Sequence, residues 1–447
     1  MIDRLIAAGQ LPNFARFRDS ALCAVTDAEE QAPNLEPWIQ WVTVHTGKSF
    51  AEHGCFILNQ GNAYSAPRIW DLVCRAGGTA WVCGSMNATF EPASFRGHFV
   101  PDPWGNEALS YPDKYFDPYT GLVRRYVQEH SSAPDLKLSD YIRFARFMVA
   151  NGLSPATASS AIRQLASERF SPVKWRRAMI LDRLQWDMFQ GVYRRARPDF
   201  ATFFLNSTAH FQHFHWREME PDLFSIKPSS ADLENFADCI PQGYRAMDRL
   251  VGQALRLVRD EGCLVLTTAL SQQPMLIHEN DGGRQIFRHR DIRQLLDFAG
   301  VAPGWQYEPV MSQQFLLNFE TEAAASKAAF LIEGLRLDDG RQPVWARRDG
   351  KQLDSGCMID QRPGPGCQVL SSASNVGLPF ADLFYPLEAL RSGMHHPDGV
   401  FWVKGPGLKA KILDQRIPLR QVAPTLAQLA GVRGEFALPS LLEFAMA

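Results

Sequence analysis

The chain has 447 residues, of which 46% are hydrophobic and 21% charged, a composition typical of a globular protein with a sizeable core. Its formal net charge of −2 argues against a chain-wide basic surface, so we expect no nucleic-acid partner. No segment reaches the roughly 20 apolar residues that a membrane span requires, and none is predicted. The eight cysteines form no CxxC pairs and residues 1–6 lack the layout of a signal peptide, which together favour a cytoplasmic location.

Helices and short apolar strands are predicted to alternate along the chain. In order, they are a helix at 2–17, a helix at 38–46, a strand at 79–83, a strand at 200–205, a helix at 244–258, a strand at 263–267, a strand at 401–404 and a helix at 422–429. Such alternation predicts a single α/β domain over residues 1–447, with a mostly parallel sheet and helices on both faces. Residues 85–197 are expected to form a helical cap insertion and residues 315–370 a smaller α+β insertion.

Polar residues follow two of the predicted strands, at 206–215 and 268–273, where sheets of this class bind ligands. The first stretch contains His210, His213 and His215, while His395 and His396 precede a turn near the strand at 401–404. Imidazole is the commonest zinc ligand and suits other first-row metals. Because zinc sites use three or four protein ligands, both a metal or anion site and a purely structural role stay open.

Five segments carry a family resemblance in chain order: GQLPNF from Gly9, WVTVHTGKSFAEHG from Trp41, FFLNSTAHFQHFHW from Phe203, MHHPDGVFWVKGP from Met394, and residues 422–431. In this order and spacing they are similar to motifs of the alkaline phosphatase superfamily, in its type I phosphodiesterase/nucleotide pyrophosphatase branch. The resemblance implies an alkaline-phosphatase-like fold in which a Ser or Thr attacks phosphorus between two metal ions held at strand ends.

Carried over residue by residue, the resemblance implies an incomplete metal site. His213 and His395 match two ligands of one site, but the Asp of the same motif falls on Ala209. A third ligand could come from any of the remaining polar residues nearby, which are Asn206, His210, His215 and His396. In the second site Ala269 and Leu270 replace an Asp-His pair. We therefore expect one divalent ion, with zinc favoured, rather than two, or none.

Two further departures concern the start of the chain and the nucleophile. The family's first strand would precede residue 1, so we expect it to be missing, with a sheet edge or gap near the helix at 2–17. The nucleophile falls in Leu35-Glu36-Pro37, which contains no Ser, Thr or Cys. Glu36 is the candidate catalytic residue there. Since a carboxylate is also favoured just before a helix, capping is the alternative interpretation of Glu36.

With these losses, the resemblance implies a hydrolase or transferase that acts on a phosphate or sulfate ester, from a small molecule or a glycan, with weak or altered activity. The alternative is a catalytically degenerate binding or scaffold protein that keeps the fold and a histidine-lined pocket. The sequence leaves the substrate and the oligomeric state open.

Overall fold

The structure is a computed structural model that describes residues 1–58, 60–105, 109–128, 136–258, 260–374, 376–387 and 389–445. Its helices are α1 (Ile2–Ala7), α2 (Pro12–Arg18), α3 (Pro37–Thr46), α4 (Phe50–His53), α5 (Gln60–Ala63), α6 (Ile69–Arg75), α7 (Asp117–Gln128), α8 (Leu138–Ala150), α9 (Pro155–Ser167), α10 (Arg177–Ala196), α11 (Ser207–Phe214), α12 (Trp216–Met219), α13 (Ser230–Phe236), α14 (Cys239–Leu257), α15 (Ile292–Ala299), α16 (Glu322–Glu333), α17 (Phe380–Leu383), α18 (Val422–Leu429) and α19 (Leu441–Ala445).

The strands are short and are numbered in chain order. They are β1 (Leu22–Asp27), β2 (Ala80–Cys83), β3 (Gly97–Val100), β4 (Phe200–Phe203), β5 (Leu264–Thr267), β6 (Ser271–Pro274), β7 (Phe287–His289), β8 (Trp305–Pro309), β9 (Gln314–Phe319), β10 (Arg336–Leu337), β11 (Val344–Asp349), β12 (Gln352–Cys357), β13 (Gln368–Leu370), β14 (Leu378–Pro379), β15 (Phe384–Pro386), β16 (Gly393–His396), β17 (Asp398–Lys404), β18 (Lys411–Ile412) and β19 (Ile417–Pro418).

The central strands form two sheets. In the first sheet the order is β18-β1-β17-β5, and β17 runs antiparallel to both β1 and β5. The short strands β18 and β19 pair with β1 in the parallel direction. In the second sheet β2 lies parallel between β3 and β4. All four residues of β2 are buried, as expected for a parallel strand covered on both faces.

Helices cover both faces of the first sheet. Because successive side chains of a strand point to opposite faces, neighbouring residues of one strand contact different helices. On β17, Trp402 packs in the cluster of α1, α2 and α14, whereas Phe401 and Val403 pack against α3 and α18. Helix α14 also connects the two sheets: its Leu250 packs with β4, and its Val251 packs with β5. Helix α14 therefore packs against strands of both sheets.

The α/β class with helices on both faces is confirmed, but the single, mostly parallel sheet is wrong in detail. The strands divide into two sheets because β4 and β5 do not pair with each other, and each stands last in its sheet within the described ranges. The first sheet is mixed, since β17 is antiparallel to its neighbours. Leu264 and Leu266 of β5 pack against the cluster that also contains side chains of α1 and α2.

Several element boundaries also differ from those predicted. The helix expected at 2–17 is two helices, because Gly9 adopts a left-handed φ of 69° and Pro12 opens α2. Residues 97–100, inside the expected cap, form β3 of the second sheet. Residues 305–309, outside the α+β insertion expected at 315–370, form β8 of the sheet β11-β12-β9-β8. Within the described ranges, no helix combines the length and apolar character needed to cross a membrane.

Candidate functional site

Two histidines from separate parts of the chain meet beside β6. His213 lies in the last turn of α11, the helix that follows β4, and His395 lies on β16. Strand β16 pairs antiparallel with β6, where Gln272 stands opposite His395. The two imidazole rings are 4.9 Å apart between centroids and nearly perpendicular. The structure thus brings together the two histidines that the sequence motifs had placed in one site.

Protein groups contact both ring nitrogens of His213. Its Nε2 lies 3.2 Å from Nε2 of Gln272, and its Nδ1 lies 3.3 Å from the carbonyl oxygen of Gly393. With the proton on Nδ1, the ring donates to Gly393 and accepts from the Gln272 amide. Burial, followed by the guanidinium of Arg391, holds the pKa of His213 well below its usual value. His213 is therefore a neutral imidazole.

Glu36 reaches the same cluster from the residue before α3. Its Oε2 lies 3.4 Å from Nδ1 of His395, and its side chain makes no capping hydrogen bond to the first turn of α3. The capping interpretation of Glu36 is therefore not supported. Burial raises the pKa of Glu36 to about 7, against the opposing effects of Arg391 and Arg284. Burial and then Arg391 lower the pKa of His395 to about 4.

Two arginines that the sequence patterns did not single out border this cluster. Nη2 of Arg391 lies 3.1 Å from Nδ1 of His213, and Nε of Arg391 donates to the Gly393 carbonyl at 3.3 Å. Arg284 faces Arg391 across an antiparallel bridge, with a backbone hydrogen bond of 2.8 Å. Neither arginine belongs to a recognisable motif. Gln272, by contrast, falls within the polar stretch at 268–273 that the sequence had indicated.

The other candidate ligands have different surroundings. His210 lies beside Phe214, with 5.3 Å between ring centroids, and His215 stacks on Phe236 at 4.8 Å and 11°. Nδ1 of His396 accepts a hydrogen bond from the backbone of Asp398 at 3.1 Å. His396 also follows His395 directly along β16, so the two side chains project to opposite faces. Asn206 precedes α11 and makes no side-chain cap there.

The cluster does not fit a divalent metal ion. Within the described ranges, no group of three or more His, Cys, Asp or Glu side chains is arranged to hold one. Nε2 of His213, one of the nitrogens that a metal could use, is within hydrogen-bond distance of the Gln272 amide, and a guanidinium lies beside the other. Ala269 is buried in the core and cannot bind a metal. Divalent ions prefer several oxygen or imidazole donors, whereas this site already contains a fixed cation.

Comparison with known proteins gave matches among solved structures alone. No protein-family model matches the chain, and no curated protein matches it. Similar structures include murine ectonucleotide pyrophosphatase/phosphodiesterase 5, at 10% identity, 98% coverage of this chain, 94% coverage of that chain and a TM-score of 0.43.

Two further solved structures are similar to this chain. The human ectonucleotide pyrophosphatase/phosphodiesterase 5 is 8% identical, with coverage of 98% and 94% and a TM-score of 0.42. Phosphonoacetate hydrolase from Sinorhizobium meliloti 1021 is 11% identical, with coverage of 96% and 92% and a TM-score of 0.39. The murine protein has also been solved, in an inactive form, in complex with AMP.

Proposed function

We propose that the chain acts on a phosphate or sulfate ester as a hydrolase or transferase of weak or altered activity, at the cluster of Glu36, His213, His395 and Arg391. The observation that carries this proposal is the 3.4 Å approach of Oε2 of Glu36 to Nδ1 of His395, beside the half-buried guanidinium of Arg391. Titratable groups with perturbed pKa values that converge from separate elements are typical of functional sites. A small-molecule or glycan ester is the proposed substrate, and the cytoplasm remains the predicted location.

Each side chain has a distinct chemical part in this proposal. The guanidinium of Arg391 binds the negative oxygens of the ester and offsets the charge that develops on them. Glu36, with a pKa of about 7, can take the proton from a water molecule that attacks phosphorus or sulfur. The bond from that atom to the ester oxygen then breaks, and the alcohol leaves with a proton from Glu36 or from solvent. His395, with a pKa of about 4, is neutral where Glu36 ionises, near pH 7, and holds the Glu36 carboxylate in place. His213 is held by Gln272 and Gly393, and its ring packs against the ring of His395.

Weak turnover follows from what the cluster contains. Phosphoryl transfer depends mainly on positioning and on cations that meet the transition-state charge. A site with guanidinium charge and a water nucleophile lacks the activated hydroxyl and the paired ions that the resemblance implies for active members. Each 1.4 kcal/mol of lost stabilisation lowers the rate about tenfold, so a loss of several kcal/mol leaves only slow turnover.

A second candidate is a binding or scaffold protein that keeps the fold. It is favoured by the segment of residues 35–37, which offers no hydroxyl or thiol nucleophile, and by the hydrogen bonds that already engage His213. A related alternative is a site for one zinc ion, with the two histidines as ligands. That arrangement requires the Gln272 amide and the Arg391 guanidinium to move away from His213.

The experiment is an assay of nitrophenyl phosphate, bis-nitrophenyl phosphate and nitrophenyl sulfate, with and without zinc or manganese. The wild type is compared with Glu36→Gln, with His395→Ala and with Glu322→Gln, a matched change on the exposed surface of α16. We expect slow turnover that falls at least tenfold in Glu36→Gln and His395→Ala but not in Glu322→Gln. Robust turnover that both site variants retain would show that the site is elsewhere. Ester binding without turnover would support the binding protein.

A further inference from the structure

We infer that Arg391 and Arg284 form a guanidinium pair that binds a tetrahedral oxyanion and supplies, in this chain, the positive charge that metal ions supply in the family it resembles. The inference rests on the proposed function, whose substrate group it specifies, and it makes the site independent of metal. It stands on the geometry of the two arginines and on the charges that surround them.

The backbone places the two guanidinium groups on one side of the cluster. Arg284 and Arg391 are directly opposite in an antiparallel bridge, and the amide of Arg391 donates to the carbonyl of Arg284 at 2.8 Å. Directly opposed residues in such a pair project their side chains to the same face, with Cβ atoms about 4.5–5.5 Å apart. Both charges act on Glu36, and each is a cause of its pKa value. The two cations therefore converge on one carboxyl group.

The charges of the pair are incompletely balanced by protein groups. Nε of Arg391 donates to the Gly393 carbonyl and its Nη2 lies beside Nδ1 of His213. Both of these groups are neutral, and none of the described carboxylates forms an ion pair with Arg391. Asp360 approaches Nε of Arg284 only to 3.7 Å, and that buried nitrogen has no hydrogen-bond partner in the described structure. Two cations beside one carboxyl group and two neutral imidazoles leave positive charge that a bound anion can neutralise.

A tetrahedral oxyanion suits this arrangement better than a cation. Guanidinium groups present N–H donors in a planar fork that matches two oxygens of a phosphate or sulfate group. A divalent ion beside His213 would instead lie within a few ångströms of Arg391 and be repelled by it. Ala269 and Leu270 contribute no ligands to oppose that repulsion. The pair thus selects for phosphate-like or sulfate-like groups.

The test is isothermal titration of inorganic phosphate and inorganic sulfate into the full chain in the presence of EDTA. The variants are Arg391→Gln, Arg391→Lys and Arg284→Gln, and the control is Arg348→Gln, an exposed arginine of β11. Circular dichroism melting of each variant checks the fold. Because Arg284 is partly exposed, Arg284→Gln tests the pair even if the change at half-buried Arg391 impairs folding.

We expect the wild type and the control to bind phosphate or sulfate equally without metal. The affinity for the anion should fall at least tenfold in Arg391→Gln and Arg284→Gln. It should fall by less in Arg391→Lys, which keeps the positive charge but loses the planar set of guanidinium N–H donors. Binding that appears only with added zinc or manganese, or that both Gln variants retain, overturns the inference and leaves the proposed function standing. Failure to bind either anion with or without metal overturns both.

Discussion

Nη2 of Arg391 lies 3.1 Å from Nδ1 of His213, so a half-buried guanidinium lies beside a side chain that the family resemblance had predicted to bind a metal ion. The same guanidinium lowers the pKa of His395, after burial, to about 4. The character of the site is thus set by an arginine that precedes the MHHPDG segment rather than by the histidines alone.

Removing this charge is expected to change the titration of the neighbouring ring. In Arg391→Gln, the pKa of His395 should rise from about 4 toward its ordinary value, because the repulsion between two cations is lost while burial remains. NMR titration of protein labelled at the histidine Cε1 carbon measures this shift. The Arg348→Gln variant should leave the His395 titration unchanged. An unchanged titration in Arg391→Gln would place the guanidinium farther from His395 than the structure does.

Gln272 is expected to stabilise the fold through two hydrogen bonds. Its Nε2 donates to the carbonyl of Ala209 at 3.0 Å and contacts Nε2 of His213 at 3.2 Å. Gln272→Ala leaves both acceptors without this donor, at a cost of about 1–3 kcal/mol in the free energy of unfolding. Urea denaturation measures the loss. A stability equal to that of the wild type would show that these acceptors have other partners.

His45 gives the protein a predictable sensitivity to acid. It is buried between Trp41 and Trp70, with ring centroids 5.7 and 4.8 Å away, and burial lowers its pKa to about 3. Since the unfolded chain protonates His45 near pH 6.5 and the folded chain does not, stability is complete above pH 6.5 and falls as the pH drops toward 3. At pH 5 the loss attributable to His45 is about 2 kcal/mol.

The variant His45→Gln tests this linkage. Although it loses aromatic contacts and is less stable throughout, its free energy of unfolding should fall less between pH 7 and pH 5 than that of the wild type. His289, whose pKa burial also lowers to about 3, should behave in the same way in His289→Gln. Denaturant titrations at each pH provide the comparison. Parallel curves for the wild type and both variants would contradict the assignment.

Asp248 of α14 is expected to hold the N-terminus of α2 in place. Its Oδ1 accepts hydrogen bonds from the backbone amides of Asn13 and Phe14, each at 2.9 Å, and its Oδ2 accepts from the Asn13 side chain at 2.8 Å. Asp248→Ala leaves unpaired helix amides and should cost about 2 kcal/mol in stability. The exposed Asp19→Ala serves as the control in urea denaturation. A cost below 0.5 kcal/mol would argue against this role.

The elements that the sequence predicted best are those with strong local patterns. Helix α18 begins and ends at the expected residues, because apolar spacing and Gly431 mark it clearly. The break between α1 and α2 was missed, since the apolar periodicity continues across Gly9. The division into two sheets was also missed, because pairing between distant strands leaves no local signal.

The site was predictable only where a motif contributed residues. Glu36, His213 and His395 were found from three segments and meet in the structure. Arg284 and Arg391 were not found, because they meet through a backbone bridge between segments that carry no motif. The charge at the site is therefore a property of the fold rather than of any short segment.

The most direct test of the account is a crystal structure of the full chain grown with both tungstate and zinc, measured at the absorption edges of both elements. Tungstate is a tetrahedral oxyanion of the predicted class. We predict a tungsten peak within hydrogen-bond distance of Arg391 and Arg284, beside Glu36 and His395, and no zinc peak between the two histidines. A zinc peak coordinated by His213 and His395, with tungstate absent from the arginine pair, would contradict it.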